Sequence, residues 1–98
     1  MTFGYLLRKL RRSQGIGIKK LAPALDLDYT YLSRIENDKV IPSEEVIDRV
    51  SAYFNYDKDE LMLLANKIPE DIRLILRENH QEALHYLRER FAGHEQHR

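Results

Sequence analysis

Apolar residues in this chain recur at helical spacing, and no stretch alternates in the manner of a strand. Phe3, Leu6, Leu7 and Leu10 follow the i, i+3, i+4, i+7 rule behind Thr2, a capping residue. A first helix is therefore predicted over residues 3 to 14, stopped by Gly15, with Gly17 as a permissive cap for the next helix and Ile16 between them as a core anchor. The second helix is predicted over residues 18 to 25. Pro23 lies beyond its first turn, where it removes a backbone hydrogen bond and crowds the carbonyl of Lys19, so this helix is expected to be kinked or 3₁₀-like. Asp26 suits a left-handed turn residue, and Asp28 stands where an N-cap belongs. A third helix over residues 29 to 37 then turns Leu32 and Ile35 inward and leaves Tyr29, Thr30, Ser33, Arg34 and Asn37 outside.

After a loop at residues 38 to 42, Ser43 caps a fourth helix whose inner face carries Val46, Ile47, Val50, Tyr53 and Phe54, with Asn55 as its end. Asp57 and Glu60 open a short fifth helix with Leu61, Leu64 and Ala65 inward. Met62 and Leu63 are expected outside, where exposed apolar side chains point to contact with something beyond the domain. Pro69 at a first helical position, with Glu70 and Asp71 behind it, begins a sixth segment, and Asn79 with Glu82 can cap a seventh. Residues 92 to 98 read as a frayed tail.

The fold class is all-α, with a domain over residues 1 to 66 and a helical extension over residues 67 to 98. Five helices already close a small core. The apolar residues of the extension, Ile72, Ile75, Leu76, Leu84, Leu87 and Phe91, are thus read as a homodimerisation surface, the alternative being that they fold back on their own domain.

Composition narrows the chemistry. The 98 residues include no cysteine, which excludes disulfides, a thiolate nucleophile and cysteine zinc sites. No apolar run approaches a membrane span, and Arg8, Lys9, Arg11 and Arg12 interrupt the first residues where a signal peptide would be apolar, so a cytoplasmic protein without membrane contact is expected. Net charge is zero but unevenly spread: residues 1 to 20 carry +6, residues 21 to 71 carry −7, and residues 72 to 98 carry +1. Phosphate contacts need a local positive surface rather than a positive total, and the first helix with Lys19 and Lys20 can supply one.

The outer face of the third helix has no role in a core, yet holds donors and acceptors suited to base edges and phosphates in a major groove. Arg34 is the leading candidate for a specific contact, because a guanidinium can bond two acceptors of guanine at once. An enzyme is disfavoured. His80 and His85 are five apart rather than the i, i+4 of zinc-binding helices, His94 and His97 lie in the tail, and no phosphate-cradling glycine loop or nucleophile motif is present. No metal or cofactor is expected.

Leu7, Leu10 and Arg11, then Gly15, Leu21-Ala22, Leu25, Tyr31-Leu32-Ser33-Arg34-Ile35-Glu36-Asn37 and Pro42-Ser43 together resemble the lambda-repressor-like, or Xre/Cro, family of helix-turn-helix proteins. The resemblance covers residues 3 to 66 and implies a five-helix domain that docks its third helix in the major groove of double-stranded DNA as part of a homodimer. Carried over by position, Tyr29, Thr30, Ser33 and Arg34 would face base edges, Asn37 and Lys39 would hold phosphates, and Arg11 would pair with Glu36. Ile18 stands where the family often has a polar phosphate contact, a role Lys19 or Lys20 could fill electrostatically, while Asp26 and Asp38 stand where Gly is frequent. Tyr29 is large for a groove-facing position and would either stack on a sugar or cover the helix start.

Ile68-Pro69-Glu70-Asp71-Ile72 is similar to the junction in repressors of toxin, defence or mobile-element genes, some of which lie beside metallopeptidases that cleave or release them. The rival to a DNA-binding repressor is accordingly an antitoxin or adaptor that holds a toxin or a regulatory protease. Zero net charge, Ile18 and the apolar extension favour the rival, whereas Arg34, Asn37, Lys39 and the basic first helix favour DNA.

Overall fold

Helix α1 (Phe3–Ser13) starts where the Thr2 hydroxyl accepts the Tyr5 amide at 3.1 Å and ends before Gly15, whose φ of +65° suits a residue without Cβ. A computed structural model describes residues 1–92 of the chain, and these comprise seven α-helices and a closing π-helical turn, with no strand among the described residues. They fall into two compact units, Met1–Lys67 and the described residues from Ile68 onward.

In the first unit, α1 is followed by α2 (Ile18–Ala24), α3 (Tyr29–Glu36), α4 (Glu44–Phe54) and α5 (Lys58–Leu64). Their inner faces meet in one core whose fully buried members include Leu7, Leu21, Leu25, Leu32, Ile35, Ile47, Val50 and Leu61. Each such side chain contributes roughly 1.5–3 kcal/mol relative to exposure, so this core alone commits the five helices to one arrangement. Ile16 and Leu10 are half-buried against it.

Asp26, Asp38, Asn55 and Asn66 all take left-handed backbone with φ between 53° and 61°. Each follows a helix and turns the chain toward the next element, a conformation that short polar side chains tolerate better than other L-residues. Asp28, Ser43 and Asp57 accept amides in the first turns of α3, α4 and α5 respectively. The last two helices of this unit are further clasped by Lys58, which bonds Glu44 at 3.2 Å and Asp48 at 2.8 Å.

Several expectations need correction. Helix α2 is α-helical through Pro23, not 3₁₀-like: proline sits next to the last residue, so only the carbonyl of Lys19 loses its intrahelical donor. Met62 is buried, because α5 presents Leu61, Met62 and Ala65 to the core and leaves Leu63 outside. Tyr53, expected inside, is exposed and meets Phe54 edge-on at 4.8 Å between ring centroids.

The second unit contains α6 (Glu70–Glu78), α7 (His80–Leu87) and the π-helical turn Arg88–Ala92. Pro69 is the N-cap of α6 rather than its first helical residue. Asn79 alone separates the two helices. Its side-chain amide donates to the Ile75 carbonyl at 2.9 Å and makes no capping bond to α7, so it ends α6 instead of capping α7 with Glu82. Ile72, Ile75, Leu84, Leu87 and Phe91 are exposed and Leu76 is half-buried. Residues 93–98, which include His94, His97 and most of the tail expected to fray, lie outside the described residues.

Candidate nucleic-acid interface

The α2–α3 pair is held from both ends of its turn. Past α2, the Leu27 amide donates to the Ala22 carbonyl at 2.8 Å, and Arg49 of α4 donates to the carbonyls of Leu25 and Asp26 at 3.3 and 3.5 Å while pairing with Glu45. These bonds satisfy carbonyls that the end of α2 leaves open. At the start of α3, the Asp28 carboxylate accepts the Tyr31 amide at 2.8 Å. Leu32 and Ile35 then anchor α3 in the core.

The other side of α3 is open. Tyr29, Thr30 and Arg34 are exposed, Ser33 is half-buried, and the Arg34 guanidinium has no side-chain partner among the described residues. Lys19 and Lys20 in the first turn of α2 are exposed, as is Lys39 after α3. Asn37 differs: its Nδ2 donates to the Ser33 carbonyl at 2.9 Å and its Oδ1 accepts from Arg8 Nη2 at 2.7 Å, leaving one amide hydrogen without an acceptor among the described residues.

Beneath this face lies a buried ion pair. Arg11 donates through Nε to Glu36 Oε2 at 2.7 Å and through Nη2 to Oε1 at 2.9 Å, the bidentate fork that a guanidinium and a carboxylate favour. Its Nη1 donates to the Ile16 carbonyl at 3.0 Å. The bond to Glu36 raises the Arg11 pKa further above its ordinary value against the opposing effect of burial, so the guanidinium stays charged. Arg8 adds a longer contact to Glu36 Oε1 at 3.5 Å and donates to the Glu36 carbonyl at 3.2 Å.

A second tie joins the start of α1 to the end of α3. Asp38 accepts the Gly4 amide at 3.0 Å and the Thr2 hydroxyl at 2.8 Å. The backbones approach so closely that a Cβ on Gly4 would lie 2.5 Å from the Ile35 carbonyl oxygen and 2.6 Å from that of Glu36. In the sequence Arg8 counted only as one of the bases of a positive first helix, and Gly4, Asp38 and Arg49 had no site role. Arg8 had a signal in its i, i+3 relation to Arg11, whereas the other three contacts depend on tertiary approach.

Residues 4–67 match the family described as a helix-turn-helix domain, which is well over half of the chain. The chain belongs to that helix-turn-helix family. Its Xre/Cro-like character fits the arrangement of α1–α5, and the helix-turn-helix domain makes the chain a DNA-binding regulator in outline. A relative named "ImmF control region 10 kDa protein", from Bacillus phage phi105, is 29% identical over 68 residues, spanning 69% of this chain and 76% of its own length. No solved structure matches the chain significantly. Among the described residues of this helix-turn-helix protein, no cluster of His, Cys, Asp and Glu could hold a metal ion, and no helix is long and apolar enough to cross a membrane.

Proposed function

We propose that the protein is a homodimeric, sequence-specific repressor that sets α3 in the major groove of a palindromic operator. The observation that carries this reading is the outer face of α3, where Tyr29, Thr30 and Arg34, the last without a side-chain partner among the described residues, stand exposed on a helix fixed by the Asp28 cap and the Arg11–Glu36 pair. Tyr29, Thr30, Ser33 and Arg34 would meet base edges, and Lys19, Lys20, Lys39 and the Asn37 amide hydrogen that does not bond Ser33 would meet phosphates. A relative whose name places it in a phage control region supports a role in gene control.

Dimerisation is assigned to the second unit, whose Ile72, Ile75, Leu84, Leu87 and Phe91 are exposed, with Leu76 half-covered. Two copies would read half-sites about 34 Å apart or a multiple of that spacing. The same apolar surface favours one other reading, an antitoxin or adaptor that uses it to hold a toxin or a regulatory protease.

The deciding experiment is a footprint on the DNA upstream of the protein's own gene, with the Arg34→Ala variant alongside. The expected result is a salt-sensitive, two-lobed protection. Arg34→Ala should lose about 1–3 kcal/mol of operator affinity and relax preference at one base pair. Unchanged affinity and preference in the variant would overturn the assignment of the recognition face. Absence of binding both there and in a selection from random duplexes would favour the adaptor.

A further inference from the structure

The apolar positions of the second unit are symmetric about a point. Ile72 and Leu87, Ile75 and Leu84, and Leu76 and Ala83 are pairs whose members lie equally far along the chain from the peptide bond between Asn79 and His80. Ile68 and Phe91 repeat the relation at the two ends. Ile72, Ile75 and Leu76 share one face of α6 at i, i+3 and i+4, and Leu87 shares a face of α7 with Ala83 and Leu84, four and three residues before it. Within one chain the members of a pair cannot meet, because Asn79 alone joins the helices and a helical hairpin needs a loop of about 2–5 residues. The faces stay open: Ile72, Ile75, Leu84 and Leu87 are between 39% and 54% exposed.

We propose that this surface is complementary to itself, and that two copies of the chain lay it together antiparallel, across a twofold axis level with the Asn79–His80 bond. The inference rests on the dimer reading above and gives that dimer its orientation and register. In a twofold contact, residue i of one copy meets j of the other and j meets i. An antiparallel pair of helical segments therefore needs apolar positions mirrored about its centre, which is the pattern present. Charge selects the same orientation. Asp71 and Arg88 are likewise equidistant from the centre, both are exposed, and neither makes an ion pair among the described residues. Antiparallel packing sets Asp71 of each copy opposite Arg88 of the other, whereas parallel packing sets Asp71 against Asp71 and Arg88 against Arg88. A toxin or a protease places no such demand of self-symmetry on the chain, so a second copy is the occupant that fits. At the axis Asn79 of one copy faces His80 of the other, and a polar pair inside an apolar seam penalises slippage and fixes register.

The chain has no cysteine, so introduced cysteines can report the orientation. Full-length Ile72→Cys and Leu87→Cys variants, mixed and mildly oxidised, should form a disulfide-linked dimer, while neither should do so alone. Cross-linking of either variant by itself would show a parallel pair and overturn the proposal. In a second measurement, sedimentation equilibrium, Asp71→Arg should weaken dimerisation about tenfold, as should Arg88→Asp, and the chain carrying both exchanges should regain wild-type association. Single reversals without effect, or a double variant no tighter than the single ones, would overturn the arrangement. A wild-type dimer that is lost when the chain is ended after Lys67, yet gives no cross-link in the mixture, would overturn the arrangement and leave the dimer reading standing. A monomeric wild-type protein would overturn both.

Discussion

At Glu36 a carboxylate that is only 2% exposed faces Arg11 in a two-pronged bond and Arg8 at longer range. Bringing these charges out of water is costly, and the arrangement is favourable only while every partner is present. Glu36→Ala would leave the Arg11 guanidinium without its acceptor, and the expected loss is about 3 kcal/mol of unfolding free energy, measured by urea denaturation. Replacing Arg11 and Glu36 together with apolar residues should cost less than the single change, because no unpaired charge is then left behind. A single variant with wild-type stability would remove the pair from any role in holding α3. Lys39 lies outside this network, exposed and without an ion pair among the described residues. Lys39→Ala should therefore weaken all duplex sequences alike, a pattern that binding to operator and random DNA in parallel would reveal.

Among the elements, Lys58 at the start of α5 reaches back to Asp48 and Glu44 on α4. The bond to Asp48, then that to Glu44, raises its pKa above the ordinary 10.5, so the folded chain holds this proton more tightly than the unfolded chain. The stabilisation is fully present below the unfolded value and is lost as pH rises through the folded one. Lys58→Met should thus be less stable than wild type at neutral pH, with the difference closing in strongly alkaline solution; a pH-independent difference would assign the effect to packing. The helix starts were legible in the sequence because capping is local: Thr2, Asp28 and Ser43 each bond an amide three residues on. Faces at the core margin were less legible. Met62 and Leu63 are neighbours on a short helix, and a small rotation decides which is covered. Pro23 did not turn its helix to 3₁₀ geometry: its effect falls on the preceding turn, where one carbonyl, that of Lys19, goes without its donor while the rest of the helix keeps its α form. The outer face of α3 followed from periodicity, but Arg8 and Asp38 did not, since their partners are 28 to 36 residues distant along the chain.

At the scale of the molecule, the unit Met1–Lys67 possesses its own core, so a chain ended after Lys67 should unfold cooperatively. If the second unit supplies the dimer contact, sedimentation should find this shortened protein monomeric and operator titration should find it weak. A stable dimer would place the contact elsewhere. The tie between Gly4 and Asp38 bears on how such binding could be followed. The Gly4 amide proton is donated to a carboxylate 34 positions later, just past the end of α3, across a junction too tight for any Cβ. That proton is a natural isotope clock for the junction. In a deuterium-exchange experiment it should be replaced by solvent only when the two helix ends part, so holding α3 against an operator should slow its replacement although Gly4 itself need touch no DNA.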